Sequence, residues 1–121
     1  MKKIEHELIV CIVNEGMSET VMDVAKEVGA TGGTVIRARG TANKEAEAFF
    51  KITIDPQKEI VMILAPIALK EPIMHALYNK AGLKTPGQGI TFSLPVDNVA
   101  GLNKSPIEDI KKEEKEPKEE K

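Results

Sequence analysis

The sequence predicts an α+β fold of the ferredoxin-like kind, in which a β-α-β-β-α-β order places two helices on one face of an antiparallel sheet. Three observations predict it: an unbroken apolar run over residues 8–13, two helically periodic stretches stopped by Gly29 and Gly82, and three further β-rich runs. Two of those runs fall between the helices, together with an extra extended piece at residues 49–54, and one comes after the second helix, which gives the order.

The first run sets Leu8, Val10 and Ile12 against Ile9, Cys11 and Val13, so both its faces are apolar and it reads as a central strand. Asn14, Glu15 and Gly16 turn the chain. Ser18 is the expected N-cap of a helix carrying Val21, Val24, Ala25 and Val28 at helical spacing. The second strand begins at Thr34, and its later alternation of Arg37 and Arg39 with small residues marks an exposed far end. Residues 41–47 hold nothing apolar larger than alanine and read as a loop; Phe49, Phe50, Ile52 and Ile54 then read as extended. A turn at residues 55–58 leads to a strand over residues 59–64 that ends before Pro66. The second helix is expected to start near Pro72 and to carry Ile73, Met74, Ala76, Leu77 and Ala81. The last strand covers residues 90–96, and Pro95 confines it to a sheet edge or a strand terminus.

One hundred and twenty-one residues suit one domain, assigned to residues 1–103, with residues 104–121 read as a charged, disordered tail rich in Lys and Glu. Ile107 and Ile110 are the tail's only large aliphatic side chains and are expected to touch the body. Seventeen basic against nineteen acidic residues give a net charge of −2, which removes the electrostatic case for nucleic acid or an anionic membrane. The N-terminal apolar run is too short to insert into a bilayer, and a cytoplasmic location is expected. Because the strands are apolar on both sides while the helices cover one face, the other face is expected to be buried against other subunits.

Chemistry is sparse. Cys11 is the single cysteine and sits in an apolar run, so it reads as a small buried hydrophobe; His6 and His75 lie in separate elements without metal-ligand spacing. No metal site, no covalent cofactor and no catalytic residue is expected, and the chain is not read as an enzyme. What stands out is glycine: the 29–34 turn, Gly40 at a strand end, and Gly87-Gln88-Gly89, whose backbone N–H groups are suited to a phosphate.

The blocks Gly-Ala-Thr-Gly-Gly-Thr-Val-Ile-Arg-Ala-Arg-Gly at 29–40, Lys-Glu-Ile-Val at 58–61 and Pro-Gly-Gln-Gly-Ile-Thr-Phe-Ser-Leu-Pro-Val at 86–96 resemble the nitrogen-regulatory PII superfamily. The resemblance implies a homotrimer that binds adenine nucleotides between subunits and signals to a regulated protein, a membrane transporter or a metabolic enzyme. It implies that Thr34 and Ile63 hold the adenine, that Ile12, Arg39, Gly40 and Thr41 line the cleft, and that Gly87, Gln88 and Gly89 face the phosphates.

Three departures qualify it. The partner-binding loop is reduced to residues 41–47 and has no tyrosine, Ile90 replaces the lysine after the glycine loop, and Gly101 and Asn103 replace a basic pair. Each missing cation removes charge-assisted bonds of about 1.5–3 kcal/mol, so ADP or AMP is expected in preference to ATP. Arg37, Arg39, Lys44 and Lys84 are the cations near enough in sequence to substitute. Two other readings stay open: a trimeric interaction protein without nucleotide binding, and a divalent-cation-tolerance protein of the related trimeric fold.

Overall fold

The computed structural model describes residues 3–41, 44–52 and 56–102. The tail at 104–121, and with it the expected contacts of Ile107 and Ile110, lies outside the described residues. Seven elements succeed one another: β1 (His6–Asn14), α1 (Ser18–Glu27), β2 (Thr34–Arg39), α2 (Lys44–Phe50), β3 (Gln57–Pro66), α3 (Ile67–Lys80) and β4 (Gly89–Val96). The sheet order is β2-β3-β1-β4, with β1 paired antiparallel to both β3 and β4 and β2 antiparallel to β3. This is the ferredoxin-like arrangement, with α2 added to it. In keeping with Pro95, β4 lies at an edge.

Alternation along the strands sorts the apolar residues onto two faces. Ile9, Cys11 and Val13 of β1 and Val61, Ile63 and Ala65 of β3 are buried beneath Val21, Val24 and Ala25 of α1 and Ile73 and Leu77 of α3. The Cys11 thiol is part of this core; burial pushes its pKa up to about 11, against a hydrogen bond with Thr91 that lowers it. On the opposite face the register builds apolar rows. Ile36, Ile60, Ile12 and Ile90 cross all four strands in one line, Met62, Val10 and Phe92 form a second with Thr34, and Leu64, Leu8 and Leu94 form a third. No helix among the described residues covers these rows, and Phe92, Leu94 and Ile90 are 40%, 47% and 58% exposed.

Three local expectations are corrected. The N-cap of α1 is Met17, which makes no side-chain cap bond; Ser18 is the first helical residue, and its N–H donates to Glu59 Oε1 of β3 at 3.0 Å. The cap is thus supplied from a neighbouring strand. The second long helix starts at Ile67, five residues ahead of Pro72, which lies inside it. Proline there removes the bond to the Ala68 carbonyl, and both residues are exposed, so water takes its place. Finally, Phe49 and Phe50 end a helix instead of opening a strand. Alanine, glutamate and lysine at 44–48 favour helix, and the two rings meet edge to face at 5.0 Å with none of α2 buried. Residue 54, expected to continue that strand, lies outside the described residues.

Burial ranks the cost of truncation. Ile73→Ala, at a fully buried site, is expected to cost about 2–5 kcal/mol, whereas Phe49→Ala at 79% exposure changes stability by no more than about 0.5 kcal/mol in urea unfolding.

Candidate functional site

The residues expected to form one cleft fall at two ends of the sheet. Thr34 starts β2 opposite Met62, and Arg39 ends it opposite Gln57. Five residue steps of strand separate them, roughly 17 Å at the usual rise. One chain therefore presents two half-sites.

The first is built where β1 meets the glycine loop. A Cβ on Gly89 would come within 2.7 Å of the Ile12 carbonyl oxygen, so only glycine allows the loop to lie against β1. Gly87 accepts a 3.5 Å hydrogen bond from Asn14 Nδ2, and the Gln88 N–H donates to the Thr85 carbonyl. Lys58 Nζ donates to Asn14 Oδ1 at 2.6 Å. A Cβ on Gly40 would rest 3.4 Å from the Lys58 side chain, and the Gly40 N–H donates to the Pro56 carbonyl at 2.7 Å. The chain Gly40, Lys58, Asn14, Gly87 thus joins the β2 end to the glycine loop, with Ile12 on the same sheet face and Arg39 and Thr41 exposed beside Gly40. Lys58 and Asn14 are the residues sequence reasoning missed here. The sequence reads Lys58 as part of a turn, but its pairing opposite both Asn14 and Ala38 puts it in the strand.

The second half-site surrounds Thr34. It is a hollow of about 310 Å³ lined by Gly32, Gly33, Thr34, Met62, Leu64 and Leu102, among others. A Cβ on Gly33 would lie 2.8 Å from Met22 Sδ and 3.0 Å from the Met62 oxygen, so glycine again permits a close backbone approach. Ile63 is placed on the helix side of β3 and is fully buried, 3.3 Å from that same Cβ position. Its side chain supports the turn from beneath, while Met62 and Leu64 face the hollow.

Two of the four proposed substitute cations, Arg37 and Lys84, have contacts of their own. Arg37 donates to Glu15 Oε2 and stands opposite Glu59. Lys84 lies 6.0 Å from the Tyr78 ring centre. Ile90, standing where a lysine was expected, extends the isoleucine row, and Gly101 lies at φ +86° in a turn; Asn103 is outside the described residues. Among the described residues no group of three or more His, Cys, Asp or Glu gathers as for a metal, and no helix is long and apolar enough to cross a membrane.

The fold is of the ferredoxin-like α+β class. Within it, the chain belongs to the family of nitrogen regulatory protein P-II, whose family model matches residues 6–105. Solved structures agree on the fold. A PII-like signalling protein of Thermus thermophilus is 16% identical with a TM-score of 0.57, covering 79% of this chain and 90% of that one. Arabidopsis thaliana PII bound to citrate is 21% identical with a TM-score of 0.62 over 83% and 82% of the two chains. A DUF3240 family protein of Shewanella baltica is 15% identical with a TM-score of 0.62 over 84% and 100%. No curated protein matches the chain. Family membership makes this a PII-like signalling protein.

Glu59 ties the frame of the first half-site to α1. The Ser18 hydroxyl holds its carboxyl below the ordinary value of 4.5; burial opposes this, and the Ser18 and Gly16 N–H groups and the Arg37 charge add to the lowering. A carboxylate with a depressed folded-state pKa stabilises the fold above its unfolded pKa, and the benefit fades as pH falls through the folded value. Glu59→Gln is therefore expected to be less stable than the wild type at pH 7, with the gap closing below about pH 4.5 in urea melts.

Proposed function

We propose that this chain forms a homotrimer through its uncovered sheet face and binds an adenine nucleotide where the first half-site of one subunit meets the second of its neighbour. The observation that carries the reading is the separation of the half-sites along β2, which keeps a single chain from closing both around one small ligand. The apolar rows favour association, since a patch that spans four strands is costly to leave in water.

The chemistry of the two halves suits a nucleotide. Thr34 offers a hydroxyl to a purine nitrogen, and Met62 and Leu64 offer apolar walls. At the other end, the glycine loop offers backbone donors and Lys58 one cation. Ile90 supplies no charge, so a ligand with one or two phosphates fits better than a triphosphate. The bound state then signals to a regulated protein, a transporter or metabolic enzyme, in the cytoplasm.

Titration calorimetry with AMP, ADP, ATP and cyclic AMP tests the ligand, and sedimentation tests the assembly. ADP or AMP is expected to bind more tightly than ATP, to a particle of three chains. Leu94→Glu, in the sheet face but in neither half-site, is expected to sediment as single chains and to lose nucleotide binding. Absence of submillimolar binding by any of the four, with the trimer intact, favours the interaction trimer that Ile90 also suits.

A further inference from the structure

Asn14 ends β1 directly opposite Lys58, and both ends of its carboxamide are engaged. Its Oδ1 accepts from Lys58 Nζ at 2.6 Å, and its Nδ2 donates to the Gly87 carbonyl at 3.5 Å. An ammonium only donates and a carbonyl only accepts, so the two partners fix which way the amide points. They also restrict the residue type, because the position calls for an acceptor and a donor on separate atoms. Aspartate would accept from Lys58 with either oxygen, yet it would turn a negative charge toward the Gly87 carbonyl.

The acids beside these two residues in sequence are turned to other partners. Glu15 Oε2 accepts from Arg37, and Glu59 Oε1 accepts from the Ser18 N–H at 3.0 Å. Glu59 follows Lys58 in β3, so alternation sends it to the helix side of the sheet while Lys58 stays on the open face with Asn14. The lysine stem is held as well: a Cβ on Gly40 would stand 3.4 Å from Lys58 Cγ and Cε. Stem and head are thus guided by uncharged groups. A neutral amide orients an ammonium without cancelling its charge, as a carboxylate at that distance would.

We propose that Asn14 is a positioning residue that makes the first half-site selective for phosphorylated ligands over the bare nucleoside. It holds the Lys58 ammonium beside the glycine loop with its charge intact. It also occupies the Gly87 carbonyl oxygen, which would otherwise be free to face and repel a phosphate. The inference rests on the first half-site being the phosphate end of the nucleotide cleft. Asn14 acts there through Lys58 and Gly87, and the adenine, at the other end of the ligand, is indifferent to it.

Titration of the full-length wild type, Asn14→Asp and Asn14→Ala with ADP by calorimetry and with adenosine by NMR tests it. Asn14→Asp is expected to weaken ADP about tenfold or more, the loss of one charge-assisted contact, and adenosine less than about twofold. Asn14→Ala falls between the two for ADP, because Lys58 loses its guide but keeps its charge. The salt dependence of ADP binding also flattens in Asn14→Asp. Equal ADP affinity in wild type and Asn14→Asp overturns this proposal alone. So does an equal loss of adenosine affinity, or an Asn14→Ala as weak as Asn14→Asp, since either marks a merely structural role. A wild type that binds no ADP overturns the nucleotide reading itself, and this proposal with it.

Discussion

The strands of this sheet are apolar on both faces, and the chain has long helices for only one. β1 shows the constraint most sharply: Ile9, Cys11 and Val13 are sealed under α1 and α3, while Leu8, Val10 and Ile12 look outward between Met62, Ile60, Phe92 and Ile90. Flanking them on this face, Ile36, Ile90, Phe92 and Leu94 are exposed, and removing them from water favours association. The proposed subunit interface there accounts for half-sites at opposite ends of β2, each taking its complement from a neighbour.

The same register that builds the rows also places the polar atoms. The apolar lines stop at Ile36, Ile60 and Ile12, and the next line reads Ala38, Lys58 and Asn14. There Gly89 packs against the Ile12 carbonyl and Val13, Gly87 accepts from Asn14, and Lys58 reaches Asn14. The face thus passes from apolar to hydrogen-bonding character between one cross-strand row and the next, two residues along each strand. Glu59, pointing the other way from Lys58 along the same strand, caps α1 and is opposed by Arg37, so the frame behind the site is held by charge as well as by packing.

Much of this was legible in the sequence because β1, β4 and α1 carry strong local patterns: a doubly apolar run, an edge proline, and helical spacing ended by a glycine. The illegible parts have physical reasons. Ile63 sits in a continuous apolar run, and such a run does not say which residues face the helices; one step of parity exchanges the core for the open face. Lys58 comes just after Pro56 and Gln57, whose turn chemistry masks the strand that begins there. Pro72 is a common helix start, yet at an exposed position the helix tolerates it in its interior. α2 is short, and its phenylalanine pair carries a β preference that local alanines and charges override.

The central claim is that one ligand takes its two half-sites from different subunits, and mixed trimers test it most directly. Lys58→Glu disables the first half and Thr34→Trp obstructs the second, so each variant alone is expected to bind ADP poorly. After the two are unfolded and refolded together in equal amounts, random assembly gives about one cleft in four with both halves intact, and ADP binding should return at roughly that stoichiometry. A mixture that forms mixed trimers yet binds no more ADP than its parents would contradict the account.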